Sequence, residues 1–159
     1  MERDYRRSAE WQEKLVDALR EAWQESRQQG DLQAYISALL NLGVAYMGLR
    51  DLEAAGNAYS EMKKAAEIQI EEGDRKGPRS LSVCYEKLGE IEKELGNPEG
   101  AKRNYEKALE ISEKLAIETN TVVSRWDLFV GYSKLGDIEQ DLRNLKKAKK
   151  NGSITFLMG

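Results

Sequence analysis

Apolar residues in this chain recur at helical spacing almost everywhere. Between residues 101 and 116 they fall at Ala101, Tyr105, Ala108, Leu109, Ile111, Leu115 and Ala116, one broad stripe on a 3.6-residue period. No window alternates polar and apolar residues long enough for a convincing strand. Turn residues interrupt the pattern at Gly30-Asp31, Arg50-Asp51, Gly73 to Pro78, Gly96-Asn97-Pro98, Asn120-Thr121 and Arg143-Asn144. The pattern therefore predicts an all-α chain of about seven helices, near 8–29, 32–49, 52–72, 79–95, 98–119, 122–142 and 145–151. Gly96-Asn97-Pro98 has the form of a tight reversal. Gly96 can end one helix in the left-handed conformation, Asn97 can cap the next, and Pro98 suits the first helical position. So short a connection forces antiparallel neighbours.

The chain also repeats itself. Tyr85-Glu86-Lys87-Leu88-Gly89-Glu90-Ile91-Glu92 returns 47 residues later as Tyr132-Ser133-Lys134-Leu135-Gly136-Asp137-Ile138-Glu139. A fainter copy, Leu39-Leu40-Asn41-Leu42-Gly43, lies 46 residues upstream of the first. A fixed period of this size marks a stacked array of like units. Residues 79–104 and 126–151 share 13 of 26 aligned positions, and the match then stops at Tyr105 against Gly152.

The positions inside each unit resemble the tetratricopeptide repeat. In the middle unit Tyr85, Leu88, Gly89, Gly96, Asn97, Ala101, Tyr105 and Ala108 hold the family's places, with Glu92 departing at the first aromatic slot. Upstream, Leu39, Leu42, Gly43, Tyr46, Asp51, Ala55 and Tyr59 match, with Met62 replacing the last small residue. Downstream, Tyr132, Leu135, Gly136, Asn144 and Ala148 match. The long period and the Glu118-Thr119-Asn120-Thr121 linker are similar to a longer-helix subgroup found in many bacterial arrays. The resemblance implies a right-handed superhelix of antiparallel helix hairpins in one domain. Its parts would be an N-terminal capping helix (1–30), repeat 1 (31–77), repeat 2 (78–120), a truncated repeat 3 (121–151) and a tail (152–159).

The resemblance also implies a function: a non-enzymatic scaffold that binds protein or peptide along the concave face lined by the first helix of each unit. Groove register then selects Leu40, Val44 and Met47 as an apolar end, and Glu86, Lys87, Glu90, Lys134 and Asp137 as a charged end. Family members that clamp a peptide's terminal carboxylate use Lys and Asn at several of these places, and Leu40 and Val44 break that set. Lys87 and Lys134 either meet an acidic group on a ligand or pair with neighbouring Glu86, Glu90 and Asp137. Gly73 to Arg79 is basic and glycine-bearing, which suits an anion, but its position reads as a linker between units rather than an anion-binding loop.

The ends are less regular. Trp11, Leu15, Ala18, Leu19, Ala22 and Trp23 form a stripe on the first helix, which either caps the array or lies in its groove. The cut-short third unit is expected to expose Trp126, Phe129, Val130 and Ile138. That face would be covered by a tail containing Phe156 and Leu157, covered by a second subunit, or left beside a frayed tail. A self-assembling homo-oligomer is thus the alternative to a peptide binder, and a peptide-responsive regulator is a third reading.

Composition narrows the chemistry. No histidine is present, which removes the commonest general base and metal ligand. The single Cys84 reads as a small buried helix residue rather than a reactive thiol. Neither a metal nor a cofactor is expected. A net charge of −3 argues against a nucleic-acid surface. The absence of a long apolar run argues against a membrane partner, and the N-terminus has no signal-type apolar core, so the expected location is cytoplasmic.

Overall fold

The computed structural model describes residues 2–151, with side chains from Asp4 onward. Six helices follow in order: α1 (Glu2–Ser26), α2 (Gln29–Gly48), α3 (Leu52–Glu71), α4 (Gly77–Glu94), α5 (Pro98–Thr119) and α6 (Val122–Lys150). No strand occurs among the described residues. Each helix packs chiefly on the next one in the chain, the contact pattern of a solenoid.

Apolar spacing explains the packing. On α3, Ala55, Ala58, Tyr59, Met62, Ala65 and Ala66 share one face and all are buried. All of them but Ala66 join Leu32, Ile36 and Leu39 of α2, Trp23 of α1 and Cys84 of α4 in the main core. A smaller core between α5 and α6 holds Ala101, Tyr105 and Ile138. The reversal at residues 96–98 forms as its residues require. Gly96 takes φ 78°, the Asn97 side chain accepts a hydrogen bond from the Gly100 N–H at 3.1 Å, and Pro98 opens α5.

Three expectations are corrected. The first break falls at Arg27-Gln28 instead of Gly30-Asp31. Arg27 adopts φ 54°, and the Ser26 hydroxyl accepts from the Gln28 N–H and donates to the Asp31 carboxylate, so Gly30 lies inside α2.

The break at Arg143-Asn144 does not form, and α6 is one helix of 29 residues, giving six helices rather than seven. Arg143 and Leu145 stand where the middle unit has Gly96 and Pro98, and both favour helix. Gln140 also donates to Asn144 across that turn at 3.1 Å.

Finally, the buried stripe of α1 is Ala9, Val16 and Trp23, while Trp11, Leu15 and Ala18 face outward. The helix is rolled so that Trp23, not Trp11, enters the core. Arg20 then reaches across to Glu61 of α3 with two hydrogen bonds of 2.8 Å.

Candidate functional site

The first helices of the hairpins, α2, α4 and α6, together line two cavities. The larger, about 500 Å³, has an apolar floor from Ile36, Leu40, Met62, Val83, Leu115 and Val123. Hydroxyls of Ser37, Ser80, Ser112, Thr119, Thr121 and Ser124 stud its walls, and Arg75, Lys76 and Arg79 stand at one side with Asp127. Arg79 is tied to Asp127 at 2.9 Å. Among the described residues no carboxylate pairs with the side chains of Arg75 or Lys76. The smaller cavity, about 300 Å³, is lined by Met47, Glu90, Lys93, Glu94, Tyr105, Lys134 and Asp137.

The sequence-predicted residues divide between these places. Met47, Glu90, Lys134 and Asp137 come together in the smaller cavity. Leu40 lies in the larger one, and Val44, 44% exposed, lines neither. Lys134 sits between two carboxylates, 2.8 Å from Glu86 and in contact with Glu90, and Lys87 lies 3.5 Å from Glu90. Burial pulls the Lys134 ammonium down, but its hydrogen bonds to Glu86 and Glu90 outweigh that, so its pKa is raised and it stays charged. Both lysines therefore answer to internal partners.

At the other end of the array, Trp126 and Phe129 are 62% and 59% exposed and stack with ring centroids 5.2 Å apart. Val130 is half-buried, and Ile138 is buried against α5, contrary to its expected exposure. Phe156 and Leu157 lie outside the described residues.

Two sets of residues were not anticipated. Arg75, Lys76 and Arg79 were assigned to a linker, yet they form the cationic side of the larger cavity. Their clustered charge within Gly73 to Arg79 was the available signal. Ser112, Leu115 and Thr119 come from the second helix α5, outside the first-helix register. Among the described residues, none of α1 lines either cavity.

The hairpins themselves obey one packing rule. The Tyr59 ring lies directly on Gly43, and a Cβ at Gly89 would come within 2.5 Å of the Tyr105 ring. Glycine at that place lets an aromatic from the second helix reach the backbone of the first. Two segments, residues 36–69 and 82–115, match the family model described as tetratricopeptide repeat. Each begins seven residues before one of these glycines. The chain belongs to the tetratricopeptide repeat family. No curated protein and no solved structure matches it. Tetratricopeptide repeats mediate protein–protein interaction and scaffolding, and the family is typically non-catalytic. No cluster of three or more His, Cys, Asp or Glu suited to a metal ion occurs among the described residues of this tetratricopeptide repeat protein. None of its described helices is long and apolar enough to cross a membrane.

Cys84 is fully buried in the main core, and burial pushes its thiol up to about 12. Thiolate is the reactive form, so the folded protein should resist a thiol–disulfide exchange reagent at pH 8 while the urea-unfolded chain reacts at once. Rapid stoichiometric labelling of the native protein would contradict this placement.

Proposed function

We propose that this protein is a non-enzymatic scaffold that binds an extended peptide segment in the larger cavity on the face of α2, α4 and α6. The observation that carries the reading is the combination there of an apolar floor around Leu40 and Val83 with the unpaired cations Arg75 and Lys76. A segment that suits it carries an aliphatic or aromatic side chain for the floor and acidic residues alongside. Its binding buries apolar surface and places carboxylates against the two cations, where charge pairing adds specificity more than affinity. The smaller cavity supports the array, since Lys134 in it is held by Glu86 and Glu90.

Selection from a displayed random-peptide library tests the reading. The expected motif is acidic residues flanking a large apolar one. Leu40→Asp should abolish capture, and Arg75→Glu with Lys76→Glu should remove the acidic preference. Motifs that bind the Leu40→Asp variant equally well would place the site elsewhere.

A further inference from the structure

The two complete hairpins pair their helices in a fixed antiparallel step. Ten residues before Gly43, Gln33 accepts from Gln69, ten residues after Tyr59, at 2.7 Å. Seven before Gly89, Ser82 meets Ser112, seven after Tyr105, at 3.0 Å. Helix α6 carries the same face with no helix on it among the described residues. A Cβ at Gly136 would meet nothing within 4 Å, and Trp126, Phe129 and Tyr132 are exposed beside it. Adjacent large exposed apolar residues of this kind mark an interaction surface.

Helix α1 carries the complementary face. With Val16 and Trp23 turned into the core, Trp11, Leu15 and Ala18 form an exposed stripe on the other side. Setting Trp11 opposite Gly136, as Tyr59 and Tyr105 stand opposite their glycines, fixes the remaining pairs by the same step. Leu15 then falls opposite Tyr132, Ala18 opposite Phe129 and Glu21 opposite Trp126, so that a large residue meets a small one at Trp11–Gly136 and at Phe129–Ala18. The flanking charges also match. Asp4 falls opposite Arg143, and Arg7 and Glu21 each fall within one residue of the position opposite Glu139 and Arg125 respectively. Taken whole, α1 has an excess of acidic residues and α6 an excess of basic ones.

We propose that α1 of a second copy of this chain docks on α6 as the second helix of a hairpin, so that copies join head to tail. The two faces differ, so the contact is heterologous, and it continues into a chain of copies or closes into a ring. This interface lies apart from the peptide cavity and does not rest on it.

Analytical ultracentrifugation of the full chain tests the proposal, with Trp11→Glu disabling one face and Gly136→Glu the other. Both residues are open to solvent, so neither variant should lose helicity, and Gly136→Glu should melt no lower than the parent because it replaces a glycine inside a helix. A second pair, Leu15→Glu and Phe129→Glu, repeats the test should either first variant lose helicity. The parent's mean mass should rise with concentration past two copies. Each variant alone should remain a monomer, and an equimolar mixture of the two should form a two-copy species and stop there. Three results would overturn the proposal: a parent that is monomeric at every concentration, a Trp11→Glu variant that associates like the parent, or a mixture that stays monomeric.

Discussion

Trp23→Ala should destabilise the protein by about 3–5 kcal/mol, while Trp11→Ala should change stability by less than ~0.5 kcal/mol. The two tryptophans lie twelve residues apart on α1, and their surroundings decide the difference. Trp23 is 4% exposed and belongs to the core with Leu32, Tyr35 and Leu39, whereas Trp11 is 65% exposed. Truncating Trp23 removes a large transfer term and leaves a cavity that the flanking helices close only in part. It also removes the ring beneath the Arg27 guanidinium, 5.0 Å from its centroid. Folded domains are stable by only about 5–15 kcal/mol, so this loss is a large fraction of the whole. Urea titration read by far-ultraviolet circular dichroism checks it, at a dilution where the protein is monomeric. Equal costs for the two substitutions would mean that α1 is rolled the other way.

That contrast shows where sequence reading reaches its limit. Helical spacing marks α1 as amphipathic, but its apolar residues span more than one stripe, and only contact with α2 selects Val16 and Trp23 over Trp11 and Leu15. The repeats were far more legible. Gly43, Gly89 and their tyrosines recur at fixed distances because close backbone approach tolerates few residue types. The reversal at residues 96–98 was legible for the same reason, since its Gly, Asn and Pro each meet a separate local demand. The continuity of α6 was written in the replacement of Gly96 and Pro98 by Arg143 and Leu145. The 47-residue match around them masked that signal. Groove register set Met47 at the apolar end with Leu40, whereas the fold places it beside Glu90, Lys134 and Asp137 in the smaller cavity. The register missed Arg75, Lys76 and Arg79, because a connection between hairpins has no place in a repeat register and is positioned only by how the helices on either side stack.

The three equivalent glycines should respond to alanine with opposite signs. Gly136→Ala should raise stability by about 0.5–1 kcal/mol, because a glycine inside a helix costs roughly that much relative to alanine and the added methyl meets nothing. Gly43→Ala and Gly89→Ala gain the same helix preference but drive a methyl into a tyrosine ring that is itself buried. Overpacking of this kind costs typically about 1–3 kcal/mol, and it should win at both sites. Gly43 should suffer most, since Tyr59 is the more deeply buried ring and has no room to turn aside. At about 2–4 °C per kcal/mol for a chain of this size, calorimetry under monomeric conditions should order the melting temperatures Gly136→Ala, parent, Gly89→Ala, Gly43→Ala.

A double variant isolates the cause. The Tyr59 hydroxyl is buried and has no hydrogen-bond partner among the described residues, so exchanging that ring for a smaller side chain sacrifices no hydrogen bond. In a Tyr59→Leu background, Gly43→Ala should lose most of its penalty, giving a coupling energy on the order of 1–2 kcal/mol. Additive effects would mean that the glycine is required for some reason other than the ring that lies on it.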